Sequence, residues 1–288
     1  MTGLVIVVAV AVVVLLPHNK QPGSTTQPRT AADTGGTTPG GSKDGSSDPT
    51  TKPAKPTTTT STTNPNGNLS AIPTPTAADP LRVLEIGDSL GEDLGFQLQS
   101  DLPKTGVATI AMDSVGDTGL ANQGYYNWPT ELESDLAASH PEVVVIFLGA
   151  NDGQGFDVNG EAAAFGSGPW ISAYTERVDQ MITESLTAGA RVLWVGMPPM
   201  QDSSLNSEMQ QIDSIFEQQT QKYPGAFYMS SAPVLAPGGQ FTSILPIAGV
   251  EQTIRTPDGV HLETPGAELL SQAVISTIAS HWHLTLKQ

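Results

Sequence analysis

Three short segments of the chain carry side chains that together could transfer an acyl group. Residues 87–91 (GDSLG) contain Ser89, residues 149–152 (GAND) contain Asn151, and residues 258–261 (DGVH) contain a carboxylate and an imidazole three positions apart. A serine hydroxyl becomes a strong nucleophile only when a base removes its proton, and an amide can donate to the oxyanion that then forms. These residue types match the parts of an acyl-transfer site, provided that folding brings them together.

His261 is the best candidate for the base among the five histidines of the chain. Asp258 can reach it through a turn and accept a hydrogen bond from one ring nitrogen, which presents the other nitrogen to Ser89. The other four lie near the N-terminus, before a proline at a predicted helix end, or in the C-terminal tail: His18, His140, His281 and His283. The sequence therefore predicts a Ser89–His261–Asp258 arrangement.

Each of these segments alone is more typical of a turn than of a catalytic site. Asp and Ser after a strand commonly cap the next helix, and we interpret Asp88, Asp117 and Asp152 as turn and cap residues. The joint occurrence of the segments, in this order and with Asn151 placed 62 positions after Ser89, favours a catalytic site over independent turns.

The apolar pattern after residue 80 alternates between short β-rich runs and longer stretches with helical spacing. Strands are predicted at Arg82–Ile86, Val107–Ala111, Val143–Leu148, Arg191–Val195 and Ala226–Met229. Helices are predicted at about Gly91–Asp101, Glu131–His140, Trp170–Leu186, Leu205–Lys222 and Pro265–His281. This alternation predicts a three-layer α/β/α, flavodoxin-like domain with a central parallel sheet.

The chemistry-bearing segments fall where such a fold places an active site. Residues 143–148 (VVVIFL) are apolar without alternation, which is typical of a parallel strand covered on both faces. Ser89 follows the first predicted strand and Asn151 follows the third. Ligands of open α/β sheets bind at the carboxyl ends of the strands, so we expect these two residues to meet there.

The order of four sequence blocks resembles the SGNH, or GDSL, hydrolase superfamily. The blocks are GDSL after the first strand, a glycine after the second, GxND after the third and DxxH before the last helix, and the resemblance covers essentially residues 82–284. It implies an α/β/α SGNH hydrolase fold, serine-dependent ester chemistry, and no cofactor or metal.

The resemblance also implies a role for each matching residue. Ser89 is the nucleophile, His261 the base and Asp258 the carboxylate that orients it. The oxyanion hole consists of the Ser89 N–H, the Gly116 N–H and the Asn151 amide. Gly119 competes with Gly116 for the second of these positions, although the sequence Gly-Asp-Thr fits the family better at Gly116.

Residues 87–91 also satisfy GxSxG, the nucleophile elbow of α/β-hydrolases. That fold carries the elbow deep in the sheet, uses an upstream oxyanion loop, and takes its acid and histidine from separate loops. In this chain the serine follows the first predicted strand and the acid lies three residues from the histidine, so the SGNH interpretation is favoured.

Composition excludes several classes of function. The chain has 29 acidic and 12 basic residues, a net charge of -17 and no cysteine. Such an acidic chain repels phosphate backbones, so we expect no nucleic-acid partner. The absence of cysteine excludes disulfide scaffolds, thiolate metal sites and cysteine nucleophiles.

The composition changes sharply along the chain and predicts three regions. Residues 4–16 (LVIVVAVAVVVLL) are all apolar, so residues 1–17 are predicted to be an uncleaved N-terminal membrane anchor. The alternatives are a cleaved signal segment and a buried strand or core helix. Residues 18–79, rich in Thr, Pro, Gly and Ser, are predicted to be a disordered linker. Residues 80–288 form the catalytic domain, which holds all 16 aromatic residues.

This layout predicts an enzyme that acts outside the cytoplasmic membrane. We expect a hydrolase or acyltransferase for short acyl or acetyl esters of cell-wall or surface carbohydrate. The alternatives are a lysophospholipase or lipase, and a catalytically silent carbohydrate-binding domain. Residues 153–169 and 231–257 are interpreted as long loops that shape substrate access, and residues 197–200 (MPPM) are expected to pack beside the site.

Overall fold

The computed structural model describes residues 69–286 and the backbone of Val14–Leu15. The predicted anchor, residues 1–17, lies outside the described residues apart from those two, and so does most of the predicted linker, residues 18–79. Within the described part of the chain, no helix is both long and apolar enough to cross a membrane.

The described strands form one large sheet and two hairpins. They are β1 (Val14–Leu15), β2 (Leu81–Gly87), β3 (Ala108–Ser114), β4 (Val143–Phe147), β5 (Phe156–Val158), β6 (Glu161–Ala163), β7 (Arg191–Val195), β8 (Ala226–Met229), β9 (Ile244–Ile247) and β10 (Val250–Thr253). The large sheet has the order β1-β3-β2-β4-β7-β8, and all its strand pairs are parallel.

Helices cover both faces of this sheet. They are α1 (Ser89–Asp101), α2 (Trp128–Ser139), α3 (Gly168–Thr187), α4 (Ser203–Thr220), α5 (Ala232–Leu235) and α6 (Thr264–His281), and a 3₁₀ turn spans Leu102–Thr105. Helix α1 packs against α6, whereas α3 packs between α2 and α4. Every residue of β4 is buried, as expected for a strand with helices above and below it. The predicted three-layer α/β/α fold is confirmed.

The strand order explains why the predicted site residues can meet. After β2 the chain crosses to one side of that strand, to β3, and then returns to its other side, to β4. The neighbouring strands β2 and β4 therefore form a topological switch point, and a crevice opens at their carboxyl ends. Ser89 directly follows β2 and Asn151 lies just beyond β4.

The two segments interpreted as long loops contain regular structure. Strands β5 and β6 pair as an antiparallel hairpin, and so do β9 and β10. Their two-residue turns, Asn159-Gly160 and Ala248-Gly249, have positive φ at both residues, which matches the right-handed twist of the flanking strands. The interpretation of these segments as irregular loops was therefore incomplete, and the Asn-Gly pair in the sequence is a signal for the first hairpin.

Candidate active site

Ser89 is the first residue of α1 and lies half-buried where β2 gives way to that helix. Close packing explains the glycines on either side of it. A Cβ at Gly87 would lie 2.3 Å from the carbonyl oxygen of Phe147 on β4, and a Cβ at Gly91 would lie 2.8 Å from Ser114 Oγ on β3. The two glycines of the GxSxG pattern are therefore required because the start of α1 packs closely against β3 and β4, the strands on either side of β2.

The structure brings the predicted serine, histidine and aspartate into one hydrogen-bonded chain. His261 Nε2 lies 2.9 Å from Ser89 Oγ, and His261 Nδ1 lies 2.7 Å from Asp258 Oδ2. With the Nδ1 proton directed at Asp258, the Nε2 lone pair can accept the hydroxyl proton of Ser89. This geometry suits a serine that is deprotonated as it attacks.

Asp258 is held in its charged form by the turn that it closes. Burial alone would raise its pKa, but hydrogen bonds from Thr256 Oγ1, from His261 and from the Val260 N–H hold the pKa of Asp258 well below its usual range. Gly259 lies inside this turn with a φ of 75°, in the left-handed region that glycine adopts readily. The carboxylate is therefore available to orient the imidazole throughout the pH range in which a histidine acts as a base.

Gly116, and not its competitor Gly119, lies beside the serine. A Cβ at Gly116 would lie 3.9 Å from the Ser89 Cβ, whereas a Cβ at Gly119 would collide with the buried carboxylate of Asp152. The Gly116 N–H donates to Glu92 Oε1 at 3.2 Å.

Asn151 is positioned by a contact with the same loop. Its Nδ2 donates one hydrogen bond to the carbonyl oxygen of Thr118 at 2.9 Å. An amide nitrogen carries two protons, so this bond orients the group and leaves the second N–H as a candidate oxyanion donor.

Asp88 ties the serine segment to the asparagine segment. Its fully buried carboxylate accepts hydrogen bonds from the Leu90 N–H at the start of α1, at 3.0 Å, and from the N–H groups of Gly149 and Ala150, at 2.9 and 2.8 Å. Burial raises its pKa to about 6, although the backbone N–H groups oppose this shift. The interpretation of Asp88 as a helix cap holds, but it describes only one of these three contacts.

Asp152 makes the equivalent tie between the asparagine segment and the loop after β3. It accepts from the N–H groups of Leu120 and Ala121, at 3.0 and 2.7 Å, and from the Tyr174 hydroxyl at 2.6 Å. Burial raises its pKa to about 6 as well. The two aspartates thus link the three segments that contain Ser89, Gly116 and Asn151.

The histidine segment is held by a buried cation, Arg255, that no motif in the sequence indicates. Arg255 is 1% exposed, and its guanidinium donates to the carbonyl oxygens of Pro199, Gly259 and Val260 at 3.0, 3.2 and 2.7 Å, and to that of His261 at 3.3 Å. Burial lowers its pKa to about 10. Residues 197–200 contact the site through this arginine, as expected for a segment beside it.

Two other described histidines, His140 and His281, and two tryptophans lie away from Ser89. His140 ends α2, and His281 stacks on Phe227 at the end of α6. Trp128 and Trp170 are fully buried in the core, so neither lines a substrate subsite. Among the described residues, no group of three or more acidic or histidine side chains is placed to hold a metal ion.

Comparison with known proteins supports the fold. The family described as "Protein of unknown function (DUF459)" matches residues 82–277. No curated protein sequence matches the chain. A putative acylhydrolase from Bacteroides fragilis is similar in structure, with a TM-score of 0.51 and 16% identity over 75% of this chain and 93% of that chain.

Two further structures are similar over a comparable range. The psychrotrophic esterase EstA from Pseudoalteromonas sp. has a TM-score of 0.48 and 16% identity over 69% of this chain and 97% of its own. An acetylxylan esterase from Geobacillus stearothermophilus has a TM-score of 0.49 and 14% identity over 72% and 96%.

The family match covers more than half of the chain, and the matched range contains all four sequence blocks. The fold agrees with the one that the resemblance implied. In the order of its four blocks the chain resembles the SGNH hydrolase superfamily, and by the match over residues 82–277 it belongs to the family described as "Protein of unknown function (DUF459)".

Proposed function

We propose that this protein is a serine-dependent hydrolase of O-acyl esters. The observation that carries the proposal is the continuous contact from Ser89 Oγ to His261 Nε2 and from His261 Nδ1 to Asp258. Ser89 attacks the ester carbonyl while His261 takes its proton. The alcohol then leaves with that proton, and water, deprotonated by His261, releases the acyl group from Ser89.

The tetrahedral intermediate needs donors for its negative oxygen. We assign this role to the N–H groups of Ser89 and Gly116 and to the amide of Asn151. Ser89 lies at the N-terminus of α1, where unpaired N–H groups and the helix dipole favour a negative charge. Because Asp88 and Asp152 fix the three segments relative to one another, these donors are positioned before the substrate arrives.

The substrates we propose are short acyl esters, such as acetyl groups on cell-wall or surface carbohydrate. The support is the layout of the chain, in which an apolar N-terminal segment and a Thr- and Pro-rich linker precede the catalytic domain. This layout suits an enzyme held outside the cytoplasmic membrane at some distance from it. Water is the proposed acyl acceptor, and transfer to a sugar hydroxyl is an alternative outcome of the test below.

The test is release of acetate from acetylated polysaccharide by the full chain. We expect free acetate from the wild type, and its loss in Ser89→Ala without a change in thermal unfolding. The matched control is Ser100→Ala, because Ser100 is an exposed serine on the same helix. Acetate release by Ser89→Ala at the rate of the control would contradict the proposal, and acetylation of an added oligosaccharide in place of acetate release would make the protein a transferase.

A further inference from the structure

Glu92 places a carboxylate at the proposed oxyanion hole. It lies half-buried in the first turn of α1, three residues after Ser89, and its Oε1 accepts from the Gly116 N–H at 3.2 Å. A Cβ at Gly116 would lie 3.6 Å from Glu92 Oε2 and 3.9 Å from the Ser89 Cβ. The carboxylate, the proposed donor and the nucleophile therefore form one cluster.

This contact conflicts with the arrival of a substrate. The carbonyl oxygen of an ester needs the Gly116 N–H that the carboxylate now uses, so Glu92 has to move away from it. Once displaced, a half-buried carboxylate requires a new hydrogen-bond donor or a positive charge. It also lies close to the negative charge that develops in the transition state, which makes a further negative charge nearby unfavourable.

The neighbouring ionic groups do not supply a donor to a displaced Glu92, because two are carboxylates, which only accept, and the third is an arginine that already donates elsewhere. Asp93 accepts from the Leu262 N–H at 2.8 Å, and Asp258 accepts from His261 and Thr256. The guanidinium of Arg255 is directed at backbone carbonyl oxygens. Solvent water can donate to a displaced Glu92, but a hydroxyl or a positive charge on the bound substrate satisfies the carboxylate without ordering a water molecule.

We propose that Glu92 is a specificity-determining residue that selects esters by the group beside the scissile bond. It favours substrates that bring a hydroxyl donor or a positive charge and disfavours those that bring a negative charge. The inference rests on the proposed function and narrows its substrate class to neutral or cationic carbohydrate esters, as opposed to acidic ones.

The test uses three acetate esters of similar size that differ in charge. They are acetylcholine, its neutral isostere 3,3-dimethylbutyl acetate, and the anionic 3-acetoxypropanesulfonate. For the wild type we expect kcat/KM to fall in that order. A unit charge within several ångströms of the bound substrate changes a rate by about 3- to 30-fold for effective dielectric constants between those of water and a protein surface. Glu92→Gln removes this charge and keeps an acceptor for Gly116, so the cation-to-anion ratio of kcat/KM should drop by about 10-fold.

The matched control is Glu268→Gln, which changes the net charge equally at an exposed position on α6 and should leave the ratio as in the wild type. An equal ratio in Glu92→Gln, Glu268→Gln and wild type would overturn the inference while leaving the proposed function intact. Failure of the wild type to hydrolyse any of the three esters would contradict the proposed function, and the inference with it.

A second variant separates selection from catalysis. Glu92→Ala also removes the charge and frees the Gly116 N–H, so it should lower the cation-to-anion ratio of kcat/KM by about as much as Glu92→Gln. If it unfolds at the wild-type temperature but loses about a hundredfold in kcat for the neutral ester, Glu92 is required for turnover and the inference is wrong.

Discussion

The two halves of the candidate active site are held in place by opposite charges. On the serine side, the buried carboxylates of Asp88 and Asp152 accept hydrogen bonds from backbone N–H groups. On the histidine side, the buried guanidinium of Arg255 donates to backbone carbonyl oxygens. Each charge binds the backbone groups that its side of the site directs inward, including groups from neighbouring segments.

The difference follows from the local structure. The serine side consists of segments that follow parallel strands, and their turns and the helix start direct N–H groups inward, where carboxylates can accept from them. The histidine side is a turn between a hairpin and α6, and its carbonyl oxygens point inward. A guanidinium presents several donors in one plane and can bind these oxygens together. Loops that direct N–H groups inward are therefore held by aspartates, and a loop that directs carbonyl oxygens inward is held by an arginine.

Loss of the base should have the largest effect on turnover. We expect His261→Ala to lower kcat for a p-nitrophenyl ester by about 10³-fold or more, because no other group then takes the serine proton. Asp258→Asn should be milder if a backbone carbonyl can still orient the ring. His283→Ala, at an exposed position in the C-terminal tail, is the control. Wild-type kcat in His261→Ala would mean that the histidine side contributes no base.

The variant Asn151→Ala should remove one proposed oxyanion donor from the serine side. The expected loss is about 10²- to 10³-fold in kcat, with the fold retained, as is typical for removal of one such donor. Asn122→Ala removes an exposed amide from the neighbouring loop and serves as the control. An effect confined to KM would mean that Asn151 binds the substrate without stabilising the transition state.

The positioning role of Arg255 can be tested without removing its charge. Arg255→Lys keeps the cation but loses the planar set of donors that the turn requires. Because a displacement of about 1 Å can cost about a hundredfold in rate, we expect kcat to fall by about 10- to 100-fold. Arg191→Lys, whose guanidinium bonds the Ser70 carbonyl on the surface, should keep the wild-type kcat. An equal kcat in both variants would show that the arginine does not position His261.

The pH dependence of stability should reveal the carboxylates of the serine side. Asp88 and Asp152 have a folded-state pKa raised to about 6, whereas an aspartate in an unfolded chain titrates near 3.9, about two units lower. The folded state therefore binds more protons between these values, and the free energy of unfolding decreases as the pH rises from about 4 to 6. Each group contributes about 2–3 kcal/mol to this decrease, to order of magnitude.

The free energy of unfolding can be measured by urea unfolding at several pH values. In Asp152→Asn it should decrease less between about pH 4 and 6 than in the wild type, because one of the two titrating carboxylates is gone. The control is Asp202→Asn, since hydrogen bonds to Ser204 lower the pKa of Asp202 and place its titration below this window. An equal decrease of the free energy of unfolding between pH 4 and 6 in Asp152→Asn and wild type would contradict a raised pKa of Asp152 in the folded state.

Much of the fold could be predicted from the sequence because it depends on local apolar pattern. Strands β7 and β8 begin and end at the predicted residues. Strand β3 runs three residues beyond the predicted Ala111, to Ser114. Its last residues are polar yet buried, and Ser114 Oγ donates to the buried Glu85 on the next strand at 2.8 Å. Such a compensating partner lies far away in sequence, so no local pattern could indicate it.

The residues of the candidate site also fall into two groups: those that a sequence motif indicates, and those that only contacts between distant segments bring to the site. The blocks with Ser89 and His261 have a recognisable order and could be found. Arg255 could not, because one of its partners, the Pro199 carbonyl, lies 56 residues away. Glu92 was equally hidden, since an acidic residue in the first turn of a helix is common and only the folded chain places it on Gly116.

The central claim is that His261 activates Ser89 as the nucleophile. Its most direct test is reaction of the full chain with a p-nitrophenyl phosphonate, followed by intact mass measurement and peptide mapping. We expect one adduct per chain, in which Ser89 Oγ bonds to phosphorus and one equivalent of p-nitrophenol leaves. We also expect no adduct on Ser89→Ala and much slower labelling of His261→Ala. An adduct on any other residue, or equal labelling of Ser89→Ala, would contradict the role of Ser89 as the nucleophile.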